Sequence, residues 1–139
     1  MAEEGLGRVF NVALIASGAG LSLKNGQGVT FAVSGADSGV VLTSSATFAG
    51  TYATPGNIIT RKQTNTSTNG TAAWVEATQA ASNTVVCAAG STTFYVDAND
   101  LPAGNAYVKA TAGSTGLITA FFHDLLVQRD PANMVALGV

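Results

Sequence analysis

Gly28-Val29-Thr30-Phe31-Ala32-Val33-Ser34 decides the fold. Val29, Phe31 and Val33 alternate with Thr30, Ala32 and Ser34, so a strand here buries one face and leaves the other small and polar. Ala106, Val108 and Ala110 alternate with Tyr107, Lys109 and Thr111 in the same way. Around these two stretches the chain consists of short runs rich in Val, Ile, Thr, Phe and Tyr, parted every few residues by Gly, Ser and Thr. Apolar residues at three- and four-residue spacing are scarce, which leaves no helix. Strands are predicted at 8–16, 28–34, 40–48, 57–63, 72–78, 84–88, 92–96, 106–112 and 117–128.

Nine strands at this spacing predict an all-β, antiparallel β-sandwich, immunoglobulin-like or jelly-roll-like. Asn25-Gly26 and Asn69-Gly70 read as tight turns, because both residue types tolerate positive φ. Gly35 to Gly39 and Ala89-Gly90-Ser91 read as hairpin loops. Thr64 to Gly70 has no apolar residue and reads as an exposed, mobile loop. The Leu101-Pro102 turn followed by Tyr107 resembles the corner of immunoglobulin-like sandwiches, where a tyrosine hydroxyl bonds back to the chain; an exposed strand tyrosine is the alternative.

Composition narrows function. Of 139 residues, 67 are Ala, Gly, Ser or Thr and only 10% are charged, so a free monomer exposes a surface poor in charge. A net charge of −2 without a basic block opposes binding to nucleic acid through phosphates. The longest apolar stretch, Val9 to Ala16, falls short of a membrane span, and the acidic Met1-Ala2-Glu3-Glu4 is unlike a signal peptide. The expectation is a single domain over 1–139, with 1–16 as an N-terminal arm or first strand and 130–139 as a C-terminal tail.

Reactive groups are few. One Cys and one His exclude an internal disulfide, a Cys-based zinc site and a multi-histidine metal site. Asp37-Ser38-Gly39 matches the aspartic-protease triplet but is also ordinary turn composition. His123 and Asp124 are strand neighbours on opposite faces, so they do not form the base–acid pair of a triad. Cys87 lies in an apolar run and reads as core. The glycines around Lys24 fit neither phosphate-binding spacing. Asp97, Asn99 and Asp100 lack the loop glycine and bidentate glutamate of a calcium loop and read as turn caps. Trp74 reads as a core or interface anchor. The expectation is therefore no enzyme, no cofactor and no metal.

The termini stand apart. Val9, Phe10, Val12, Leu14 and Ile15 near one end, and Met134, Val135 and Leu137 near the other, are too apolar for solvated arms and are the expected partner contacts.

Three stretches carry a resemblance. They are Asn69-Gly70-Thr71-Ala72-Ala73-Trp74-Val75-Glu76-Ala77-Thr78-Gln79-Ala80-Ala81, then Ala106-Tyr107-Val108-Lys109-Ala110-Thr111-Ala112, then Gly116 to Arg129 with the closing Asp130-Pro131-Ala132-Asn133. Over about residues 57–137 the chain resembles small β-rich head-decoration or minor capsid proteins of tailed phages infecting actinobacteria. The resemblance implies a non-enzymatic virion protein on the capsid exterior, assembled in the host cytoplasm. It also implies binding to the major capsid protein and self-association as a homotrimer. A tail or head–tail connector component is the alternative, followed by a carbohydrate- or receptor-binding module resting on the Thr64–Gly70 loop and Trp74.

Overall fold

Among the described residues the β-forming runs pair into ten antiparallel strands, with one turn of 3-10 helix. The computed structural model describes residues 10–15, 17–24, 26–67, 70–114 and 117–125. The strands are β1 (Phe10–Ile15), β2 (Leu21–Ser22), β3 (Gly26–Ser34), β4 (Asp37–Ser45), β5 (Ile59–Asn65), β6 (Val75–Ser82), β7 (Thr84–Cys87), β8 (Ser91–Asp97), β9 (Tyr107–Thr111) and β10 (Leu117–Leu125), with the helical turn at Ala98–Asp100. All nine predicted strands are present. The two-residue β2 is the addition, too short to leave a pattern in sequence.

The strands form a six-stranded sheet, β1-β10-β3-β8-β5-β6, and a four-stranded sheet, β2-β9-β4-β7. Without the β5–β6 pair these become two four-stranded sheets, and the chain passes from one to the other at every step except β4 to β7, which are neighbours in the four-stranded sheet. That nested order is the eight-stranded jelly roll. It decides between the two sandwich types that the strand pattern left open. The β5–β6 hairpin is inserted in the link between β4 and β7 and widens one sheet beyond β8.

Only β5 and β6 are neighbours in both chain and sheet. The short links Gly35-Ala36 and Ala88-Ala89-Gly90 are therefore sheet-to-sheet crossings, and the hairpin reading of both is corrected. A hairpin loop and a crossing demand the same small residues, so composition could not separate them. Gly90 shows the constraint: its φ is +100°, and a side chain there would collide with the backbone of Asn65 and Thr66.

The core lies between the sheets. Val29, Phe31 and Val33 of β3 meet Phe94 and Val96 of β8, Ile118, Ala120 and Phe122 of β10, and Val40, Leu42, Val85 and Val108 from the facing sheet. The Phe31 and Phe94 rings are tilted against each other with centroids 5.4 Å apart. The Leu101–Tyr107 corner is a crossing as well. Tyr107 is buried, with its ring against Phe48 at 6.2 Å and under the Lys24 ammonium at 4.9 Å. It acts through ring packing, in place of either the tyrosine-corner bond or the exposed position expected for it.

Candidate functional site

The groups with chemical potential are used to hold strands together. Asp37 is buried at the start of β4, and its carboxylate accepts the backbone N–H groups of Gly39 at 2.9 Å, Gly113 at 3.0 Å and Ser114 at 3.1 Å. Burial works against its ionisation. The three N–H bonds and the Ser114 hydroxyl outweigh that and hold its pKa below the usual carboxylate value. The residue thus ties β4 to the β9–β10 link, and its oxygens already bind backbone.

His123 projects from the outer face of the six-stranded sheet. Its Nε2 is 2.7 Å from the Thr30 hydroxyl, and its ring lies 6.0 Å from that of Tyr95. Asp97 caps the helical turn by accepting the Asn99 N–H at 2.8 Å, and it accepts the Tyr95 hydroxyl at 3.3 Å, which bears out the capping reading. Cys87 is buried, its thiol pushed up by burial and directed at the Val85 carbonyl. Among the described residues no group of three His, Cys, Asp or Glu side chains could hold a metal ion.

What the molecule presents is a surface. The outward residues of the six-stranded sheet follow from its register. Thr119 of β10 pairs with Ala32 of β3, which pairs with Thr93 of β8; one row over, Leu117, Ser34 and Ser91 are aligned, and on the other side Phe121, Thr30 and Tyr95. The central residues of these rows are small, so the sheet is hollow between taller neighbours. Leu117 and Phe121 of β10 form one wall of the resulting groove and Trp74 the other. The groove holds about 560 Å³ and is lined by no charged residue. Trp74 is 52% exposed and Leu117 75% exposed, both unusual for side chains of their size.

The inserted hairpin is what brings Trp74 there. Asn65 is buried at the end of β5, donates to the Ala72 carbonyl at 3.0 Å and accepts the Ser67 N–H at 2.9 Å. The Ser67 hydroxyl then accepts the Thr71 N–H at 3.0 Å and the Ala72 N–H at 3.2 Å. These bonds fix the backbone leading into Trp74. They also revise the reading of Thr64 to Gly70 as a wholly exposed loop: Thr64 and Asn65 belong to β5, and Asn65 organises the turn from inside. At the other end of β6, the Gln79 amide donates to the carbonyls of Ile59 at 3.2 Å and Thr84 at 3.0 Å, spanning a break in the β5–β6 register.

A second aromatic patch lies on the four-stranded side. Lys109 stands 3.9 Å over the Tyr52 ring, the Tyr52 hydroxyl donates to the Phe48 carbonyl at 3.1 Å, and Phe48 is half exposed. Here the lysines cover aromatic faces, so the patch is largely closed on itself.

Of the expected contact residues, Phe10, Val12, Leu14 and Ile15 fall in β1, which among the described residues is the outermost strand of the six-stranded sheet next to β10. Phe10, Val12 and Leu14 occupy the register rows of His123, Phe121 and Thr119, which belong to the outward set, and Ile15 that of the buried Ile118. Val9, Met134, Val135 and Leu137 lie outside the described residues, as does the 130–139 tail. The groove residues Ala32, Thr93, Leu117 and Phe121 escaped the sequence reading. Leu117-Ile118-Thr119-Ala120-Phe121-Phe122 carried a signal for them: it is apolar at both parities, which an antiparallel strand with one solvated face does not need.

Comparison with known protein families, with characterised proteins and with solved structures finds no match to this chain.

Proposed function

We propose that this protein is a structural virion component, a capsid decoration protein that binds the major capsid protein on the outer shell and stabilises the head without catalysing a reaction. The observation that carries the reading is the uncharged groove between Trp74 and Leu117, on a charge-poor jelly roll whose buried carboxylate and thiol and part-buried imidazole are engaged within the fold. An apolar surface of this kind favours burial against protein over solvation. Jelly rolls recur in viral capsid and lectin domains, which agrees with the reading but does not by itself assign it. A protein of this type acts by mass action: binding only the assembled shell stabilises that state, with no energy source required. Self-association as a homotrimer would set several copies of the chain on neighbouring capsid subunits at once and gain from multivalency.

The test is to mix the purified protein with capsids that lack it, sediment them, and count copies bound per shell. Saturation at a copy number on the scale of the capsid subunits, with a raised capsid melting temperature, supports decoration. Failure to bind the shell overturns it; binding to purified tails instead would assign the chain to the tail or the head–tail connector.

A further inference from the structure

The groove needs an occupant as free of charge as its walls. One stretch of this chain beyond the strands has that character: Pro131-Ala132-Asn133-Met134-Val135-Ala136-Leu137-Gly138-Val139, nine residues without a charged side chain, among them Met134, Val135, Leu137 and Val139. We propose that the groove receives the segment 131–139 of a neighbouring copy of this chain, so that tail and groove link copies head to tail. This rests on reading the protein as an assembly component and names the contact that builds the assembly.

The direction of β10 favours a neighbour's tail over the chain's own. The groove lies at the start of β10, along Leu117 to Phe121, whereas the strand ends at Leu125, paired with Gly26 at the other end of the sheet. β10 thus runs away from the groove towards its end at Leu125. The 14 residues that follow span up to about 46 Å when extended, against a radius of gyration of about 14 Å for a domain of this length. A second copy is within easy reach, while the chain's own groove demands a full reversal over the outer sheet face. Donor and acceptor surfaces differ, so the contact is heterologous, and a ring is the arrangement that satisfies every tail and every groove.

Trp74 is the sole tryptophan and sits in the groove wall, so its fluorescence reports occupancy in the full-length protein. At micromolar concentration Trp74 is shielded from acrylamide; on dilution to nanomolar, quenching roughly doubles while the mass by light scattering falls to the monomer. Two full-length variants separate the partners. Leu137→Asp spoils the tail and keeps the groove; Ala32→Arg fills the groove and keeps the tail. Each alone is monomeric, Leu137→Asp has an exposed Trp74, and mixing them restores shielding of the Leu137→Asp tryptophan by the other chain's intact tail. If Ala32→Arg does not fold, by circular dichroism, Thr93→Arg takes its place. Shielding that survives Leu137→Asp, that persists unchanged on dilution, or that mixing fails to restore overturns the proposal. A groove that responds only to added glycan or to capsid protein overturns it as well. The experiment contains no capsid, so its failure leaves the decoration reading standing, and failed shell binding leaves this result standing.

Discussion

β3 and β6 belong to the same sheet but are built on different principles. β3 sits between β10 and β8, with Val29, Phe31 and Val33 completely or almost completely buried against the facing sheet. β6 is an outer edge, and none of its eight residues is buried. β3 owes its place to the hydrophobic effect; β6 owes its place to backbone pairing with β5 and to a few side-chain bonds, chiefly those of Gln79 and Asn65. The difference teaches that the eight-stranded frame is one cooperative unit, and that the hairpin is attached to it to carry Trp74 to the groove.

The sharpest way to break the comparison is to damage the frame. Phe94→Ala removes a fully buried ring that packs on Phe31, and it should cost about 3–5 kcal/mol in denaturant unfolding, with both sheets melting together. A separate loss of the hairpin before the frame in that experiment would show that the frame does not govern the whole.

Next in size is Asp37→Asn, which keeps the shape but removes the charge that three backbone N–H groups share. The expected loss is about 2 kcal/mol at neutral pH. The native carboxylate has a pKa lower than in the unfolded chain, so its contribution is present above the ordinary carboxylate value near 3.8 and is lost as pH falls through the lower native value. Wild type should therefore lose part of its advantage over the variant across that acid range. A difference in melting temperature that stays constant down to the lowest pH would remove the charge from the account.

The smallest effect is expected at Gln79→Ala. Global stability should fall by about 1 kcal/mol or less, yet amide exchange in Val75–Thr78 should rise roughly tenfold while that of Phe31 stays unchanged. Equal acceleration in both strands would mean that hairpin and frame open as one.

The same contrast explains what could be read from the sequence. Burial on one face leaves alternation, so β3 and β9 were legible. β6 was placed at 72–78 but spans Val75–Ser82, because Ala72-Ala73-Trp74-Val75 is apolar without being buried, and pattern alone treats the two as one. The groove was hidden for a different reason. It is made of rows that run across strands far apart in the chain, such as Thr119, Ala32 and Thr93, and no window along the sequence contains such a row.

The pairing of the first strand with the last has a consequence for how the protein is made. β1 has one partner, β10, and β10 also fills the space between β1 and β3. A ribosome must therefore complete β10 before the middle of the larger sheet can close. Until then β3 presents an open edge of Val, Phe and Ala. Folding is dominated by contacts distant in sequence and slow for a domain of this size. During that interval, protection from aggregation falls to the cell's chaperones, and the yield of native protein should rise with chaperone supply.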